Sequence, residues 1–289
     1  MPVSPLPLRC LPALPSGRPR RLLAVLPVLQ PGDAIDRALD IVRHLIATGT
    51  WAVRAVTASG DPHCATAGAI GLEVQQVDAR LFWTAANQAA AGRELSSLAR
   101  QIWWLHLDAV VVFDPASAWA ITIARDAGLP VLFDVTADTP LPPPAGASAA
   151  ALLREAWRSA TAVCYSSAAA ARTHATLLGH LPGEIIPHWH AAMPPAAAGS
   201  VCLSTTQDAK PLRAVLDAAA AGIPIVASPT PTLTEYFGPG EITYLSANLE
   251  LSIAHACLDL AANPAAAARR TEAAGRRVRA EHAPAPLLA

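Results

Sequence analysis

The feature that most constrains the fold is an alternation of short apolar segments with helical segments, which runs from residue 21 to residue 189. The apolar segments have the length of strands and are apolar on both faces, and helices separate them, as in a parallel sheet that is covered on both sides. The predicted strands are 21–28, 51–58, 72–77, 108–113, 130–135, 161–166 and 184–189, and the predicted helices are 33–49, roughly 85–105, 116–128, 150–160 and 167–179. The sequence therefore predicts an α/β protein.

A short pattern occurs once in each half of the chain. ARDAGLPVLFD (124–134) and AAAAGIPIVAS (218–228) both run from a helix through Gly, an apolar residue and Pro into a strand. The glycine is expected to end its helix in a left-handed conformation, and the proline stops the helix from continuing. The repeated junction favours two doubly wound units.

Composition limits the classes of function. The chain has 289 residues, of which 53% are hydrophobic and 15% charged, with a formal net charge of −1. Such a balanced charge gives no overall field that would attract nucleic acid, so we expect no nucleic-acid partner. No apolar run reaches the length of about 18 residues that a membrane-spanning helix needs, so we expect no transmembrane segment.

The cysteines and the N-terminus indicate a cytoplasmic protein. Five cysteines are scattered without a C-x-x-C pair, which is typical of a reduced protein. Residues 1–20 are rich in proline and lack the basic start and apolar core of a signal peptide. We therefore expect a cytoplasmic location and a disordered tail over residues 1–20.

Candidate site residues follow two of the predicted strands. Gly32 lies in the loop between the first strand and the first helix, where backbone N–H groups can face an anion, although the glycine can equally serve a simple turn. Asp134 lies at the carboxyl end of the strand at 130–135, and Asp138 follows that strand. The carboxyl ends of parallel strands are where doubly wound folds bind ligands, but loop aspartates also cap turns. Both interpretations stay open for each of these residues.

Two histidines, His188 and His190, lie two residues apart in a predicted strand and would point the same way. A zinc site needs further carboxylate, cysteine or histidine ligands at clear spacing, and the sequence does not provide them. We therefore predict no metal site.

Four segments, taken in order along the chain, resemble family-4-like glycosyltransferases with the GT-B fold. They are residues 23–45, residues 152–190, residues 211–245 and residues 258–283. The resemblance implies two Rossmann-like units and the transfer of a sugar from a nucleotide-sugar donor to an acceptor hydroxyl with retention of configuration. It implies a glycan, lipid or small-molecule acceptor and no cofactor.

The resemblance also implies roles for particular residues. In the family two acids eight positions apart bracket the donor; the second, which binds the ribose, matches Asp217, and the position of the first is Ala209, with Asp208 beside it. Carboxylates suit this task because they accept hydrogen bonds from neighbouring hydroxyl groups. Asp208, Asp134 and Asp138 are the catalytic candidates implied by the resemblance. The implied donor-binding residues are Asp217, Lys210, Arg213, Gly32, Glu235 and His188, the last as a residue that lines the cleft.

The second half departs from the family pattern. Between Pro195 and Val201 the family has several strands and helices, including cations that hold the donor diphosphate, and this chain has only five intervening residues. We predict an N-terminal domain over 21–187, a linker over 188–200 and a truncated C-terminal domain over 201–289. Two functions stay open: a glycosyltransferase, and a non-catalytic relative that binds a sugar or a partner.

Overall fold

The structure is a computed structural model. It describes residues 19–27, 33–58, 71–102, 104, 106–113, 115–136, 147–178, 183–185, 200–205, 212–246 and 249–282. These residues form two parallel sheets with helices packed on them.

The first sheet has seven strands in the order β3-β2-β1-β4-β5-β6-β7, and every neighbouring pair is parallel. The chain order reverses between β1 and β4, which is the switch point where doubly wound folds bind ligands. The strands are β1 (Arg20–Val25), β2 (Trp51–Ala58), β3 (Val74–Val77), β4 (Ala109–Val112), β5 (Val131–Val135), β6 (Ala162–Tyr165) and β7 (Glu184–Ile185).

Helices connect these strands. A turn of 3₁₀ helix, Pro115–Ser117, precedes the helix that begins at Trp119. The helices are α1 (Asp33–Ala47), α2 (Arg80–Trp83), α3 (Gln88–Gln101), α4 (Trp119–Asp126), α5 (Ala147–Arg158) and α6 (Ala168–Leu178). We call the seven-stranded sheet with these helices the first lobe.

Strand β1 shows how the first lobe is held together. Alternate side chains point to opposite faces of a strand. Leu22 and Ala24 pack with α1 in one buried cluster, whereas Leu23 and Val25 belong to a second cluster that α2 to α5 cover on the other face. Burial of both faces explains why the strands are apolar at consecutive positions.

The second lobe is smaller. Its sheet has three parallel strands in the order β10-β9-β8. The strands are β8 (Cys202–Ser204), β9 (Ile225–Ala227) and β10 (Thr243–Tyr244), and the helices are α7 (Leu212–Ala220), α8 (Pro231–Tyr236), α9 (Leu249–Ala262) and α10 (Pro264–Glu281).

Both faces of the small sheet are covered. Helices α7, α8 and α10 share one buried cluster with β8 and β9, and α9 packs on Val226 from the other side. A Cβ atom added at Gly275 of α10 would lie 3.0 Å from the carbonyl oxygen of Ala219, so α10 packs closely against α7. The second lobe is therefore a doubly covered α/β unit with a short sheet.

The repeated helix-to-strand junction is confirmed. Gly128 and Gly222 have φ angles of +72° and +73°. The next residues, Leu129 and Ile223, donate their backbone N–H groups to the carbonyl oxygens of Ala124 and Ala218 at 2.9 Å. Each glycine thus ends its helix in the left-handed conformation that the sequence predicted.

The predicted fold class, α/β with two Rossmann-like units of which the second is truncated, is confirmed. The proposed division at 188–200 falls between the last strand of the first sheet and the first strand of the second, and residues 186–199 lie outside the described part of the chain. The predicted tail over 1–20 also lies almost wholly outside it. Within the described residues, no helix has the length and apolar character needed to cross a membrane.

Candidate functional site

The carboxyl edge of the large sheet holds a buried ion pair. Arg37 of α1 donates from Nε to Oδ2 of Asp134 at 2.7 Å and from a terminal nitrogen to Oδ1 at 2.8 Å. The two residues are 3% and 2% exposed. Burial by itself lowers the pKa of Arg37, but the adjacent Asp134 carboxylate raises it, and the net direction is upward. The pair ties the first helix to the end of β5.

This geometry bears on the catalytic role predicted for Asp134. Both of its carboxylate oxygens accept hydrogen bonds from one guanidinium group, and a bidentate pair of this kind is among the stronger polar contacts in proteins. The catalytic role stays a prediction. The observed contacts favour a structural role, in which Asp134 holds Arg37 at the edge of the sheet.

Helix α7 carries the residue predicted to bind the donor ribose. Asp217 is 7% exposed and accepts from Nε of Arg213 over a long 3.4 Å contact. The same arginine forms an ion pair with Asp40 of α1, with Nη1 and Oδ2 2.5 Å apart. Asp40 also accepts from Arg43 at 3.0 Å. One guanidinium therefore links carboxylates from the two lobes.

The charges around Arg213 are mostly negative. Burial by itself lowers the pKa of Arg213, but Asp40, Asp217 and Asp36 raise it, and the net direction is upward. Burial raises the pKa of Asp40 above its ordinary value, and the two arginines offset only part of that rise. The three aspartates thus keep Arg213 charged, whereas burial makes the ionised form of Asp40 costly.

A second contact between the lobes involves α8. Glu235 accepts the backbone N–H groups of Ala168 and Ala169 at 2.7 and 3.0 Å. These are the first residues of α6, whose N–H groups have no partner within the helix. The next residue, Tyr236, donates its hydroxyl to the carbonyl oxygen of Ser166 at 2.7 Å. Glu235 therefore caps a helix of the other lobe, and its role as a donor ligand stays a prediction.

The end of β5 has a further support from α6. The Nε2 atom of His174 lies 3.2 Å from the carbonyl oxygen of Thr136, and the histidine is 1% exposed. Burial lowers the pKa of His174, and the contact with Thr136 offsets part of this shift. The strand that carries Asp134 is thus anchored by α1 on one side and α6 on the other.

Of the predicted site residues, the structure places Asp134, Asp217, Arg213 and Glu235, and all four take part in buried or partly buried contacts near the junction of the lobes. Five predicted residues lie outside the described part of the chain: Gly32, Asp138, His188, Asp208 and Lys210. Their roles stay predictions. No group of three potential metal ligands occurs among the described residues.

Sequence reasoning missed Arg37, Asp40 and Tyr236. The first two lie on the polar side of the helical repeat of α1, where the periodicity predicts exposure to solvent, yet they are 3% and 8% exposed. The second lobe and the end of β5 cover that side of the helix. The charged residues of α1 would have indicated a contact if the sequence showed that α1 lies between two lobes. The sequence alone does not show where α1 lies.

A doubly wound seven-stranded parallel sheet and a smaller parallel sheet, with charged residues gathered where their lobes meet, are the architecture of a GT-B glycosyltransferase. The family model described as glycosyl transferase 4-like domain matches residues 34–189, more than half of the chain, and the model described as glycosyl transferase-like matches residues 152–286. The chain belongs to the glycosyl transferase 4-like family. No significant match exists among curated proteins.

Solved structures show the same fold. HepE (Alr3699) of Anabaena, in complex with UDP and glucose, has a TM-score of 0.66 at 9% identity; the match covers 91% of this chain and 96% of HepE. The UDP-glucose complex of HepE has a TM-score of 0.65 at 10% identity and covers 91% and 95%. Sucrose-phosphate synthase of Thermosynechococcus elongatus has a TM-score of 0.60 at 11% identity and covers 91% and 95%.

Proposed function

We propose that the protein transfers a sugar from a nucleotide-sugar donor to an acceptor hydroxyl, with retention of the anomeric configuration. The observation that best supports this is the placement of Asp217 and Arg213 on α7, against α1 of the other lobe. A carboxylate that can accept ribose hydroxyls and a cation that can pair with phosphate lie one helical turn apart at the junction of the lobes.

The donor proposed here is a uridine diphosphate sugar. HepE, which shares the fold, was solved with UDP and with UDP-glucose. The proposed ribose ligand is Asp217, and the proposed phosphate ligands are Arg213 and Lys210. The acceptor class proposed is a glycan, a lipid or a small molecule.

The catalytic carboxylates proposed are Asp208 and Asp138, on the strength of the family resemblance. Asp134 is the weaker candidate, because a base or nucleophile must reach the substrate, whereas Asp134 is 2% exposed and paired with Arg37. Gly32 and His188 are proposed to face the donor from the first lobe and the connecting segment. We also propose a cytoplasmic location, in keeping with the scattered cysteines, which form no C-x-x-C pair.

The experiment is a thermal-shift panel of nucleoside diphosphates and nucleotide sugars, followed by a donor-hydrolysis assay for each hit. With a Kd of about 1 mM, uridine diphosphate at roughly 5 mM stabilises the native state by about 1 kcal/mol and raises Tm by about 2–4 °C. The Asp217→Asn variant should show a smaller shift, because the amide is a weaker acceptor than the carboxylate. No shift with any nucleotide in the panel would contradict the proposed function.

A non-catalytic binding protein is the second candidate. Asp217 is 7% exposed and Glu235 is engaged with α6, so two predicted donor ligands already have protein partners in this arrangement. Nucleotide binding without release of sugar from any donor would favour this candidate.

A further inference from the structure

An ion pair joins α1 and α7 across the junction of the lobes. Asp40 lies on the polar side of α1, and its side chain is 8% exposed because α7 covers it. Its partner, Arg213, retains 20% exposure, and the two groups approach to 2.5 Å. This is the shortest contact that Arg213 makes among those described.

Arg213 lies closer to Asp40 than to Asp217. Its Nε lies 3.4 Å from Asp217, which is at the long limit of a hydrogen bond. Its Nη1 lies 2.5 Å from Asp40. A guanidinium group offers its N–H donors in one plane, and a carboxylate and a phosphate compete for the same planar edge. Asp40 therefore occupies Nη1, one of the donors that a phosphate would use.

Asp217, the residue proposed to bind the ribose, is covered as well. Its side chain is 9% exposed, and ribose hydroxyl groups cannot donate hydrogen bonds to carboxylate oxygens that protein covers. Separation of α1 from α7 would free the Nη1 donor of Arg213, which lies one helical turn before Asp217. In the described residues of the second lobe that precede α9, Arg213 is the cation nearest to Asp217.

We propose that Asp40 acts as a built-in competitor of the donor diphosphate: its carboxylate occupies Arg213 when the donor site is empty, and the donor must displace it to bind. This inference rests on the proposed function, since it assumes that a nucleotide binds at α7. The ligand chemistry is a phosphate or diphosphate anion. Weak intrinsic affinity for nucleotides follows directly, because each binding event must break the pair between the lobes.

The test is a titration of the full chain with uridine diphosphate, and separately with inorganic pyrophosphate, by isothermal calorimetry. Asp40→Asn removes the competing charge and keeps the shape of the side chain. We expect it to lower the Kd of both ligands about tenfold, which corresponds to about 1.4 kcal/mol. Adding Arg213→Gln to Asp40→Asn should abolish this gain, because the shared cation is then absent.

Two control variants separate competition from a general effect of charge. Asp36→Asn removes one negative charge from α1 and from the field at Arg213 without removing the direct contact, and Asp126→Asn removes the carboxylate of an exposed pair with Arg125 on α4. We expect a small gain from the first and none from the second. Equal gains from Asp36→Asn and Asp40→Asn would overturn the proposal, since only a field effect would then act.

The titration also separates a failure of the competition from a failure of the proposed function. If wild-type protein binds uridine diphosphate and Asp40→Asn binds it no more tightly, the competition is overturned while the proposed function stands. If neither protein binds uridine diphosphate or pyrophosphate, both are overturned. A tenfold gain that is lost on removal of Arg213 supports the proposal.

Discussion

Arg37 and Arg213 both pair with aspartates, but the partners of Arg37 and of Arg213 are distributed differently between the lobes. Arg37 is 3% exposed and makes a bidentate pair with Asp134, and both residues belong to the first lobe. The side chain of Arg213 is 20% exposed and divides its contacts between Asp40 of the first lobe and Asp217 of the second. The first pair is therefore fixed when the lobe folds, whereas the second depends on how the two lobes meet.

The largest effect that this comparison predicts is on stability. Arg37→Ala leaves Asp134 buried without its partner, and the loss of one member of a buried pair costs about 3–5 kcal/mol. The measurement is urea denaturation followed by the fluorescence of the tryptophans in the first lobe. Asp134→Leu combined with Arg37→Met should recover much of the loss, because replacing both members removes the buried charge.

A matched surface pair serves as the control for that experiment. The side chains of Arg80 and Asp78 are 80% and 41% exposed, and exposed pairs contribute little to stability. Arg80→Ala should leave the denaturation midpoint unchanged. If Arg37→Ala were as mild as Arg80→Ala, the buried pair would not stabilise the first lobe and the contrast with Arg213 would fail.

The sequence predicted all seven strands of the first sheet, but it did not predict which residues contact one another between elements. Strand β2, for example, is predicted and observed over residues 51–58. Such strands can be predicted because a strand that is buried on both faces has apolar residues at consecutive positions. The one-turn helix α2 was not predicted, since four residues are too few for a helical repeat to show.

The contacts of the site depend on residues far apart in the chain. Arg37 pairs with Asp134 across 97 positions, and Glu235 reaches Ala168 across 67 positions. The motif resemblance selected Asp217 and Glu235 as functional residues. It could not show that other parts of the protein already contact them, because such contacts depend on how two lobes meet and not on any local pattern.

A smaller effect is expected at the second contact between the lobes. Glu235→Ala removes the acceptors of two N–H groups at the start of α6, and loss of a helix cap costs about 1 kcal/mol. Hydrogen exchange measured by NMR should show faster exchange at Ala168 and Ala169. Ala170 should be unaffected, because its N–H group is bonded to Oγ of Ser167 at 3.0 Å.

The control for this variant is Glu272→Ala in α10, which removes an exposed acid paired with Arg276. It should leave exchange in α6 unchanged. Unaltered protection of Ala168 and Ala169 in Glu235→Ala would mean that the cap across the lobes does not form in solution, and that Glu235 is available for the donor.

The most direct test of the central claim, that the junction of the lobes is a nucleotide-sugar site built on α7, is a crystal structure of the protein with uridine diphosphate. The account predicts a ribose hydroxyl about 3 Å from the carboxylate of Asp217, a phosphate oxygen on Arg213, and Asp40 displaced from that arginine. A nucleotide bound away from α7, with Asp40 still paired to Arg213 and Asp217 still covered, would contradict it.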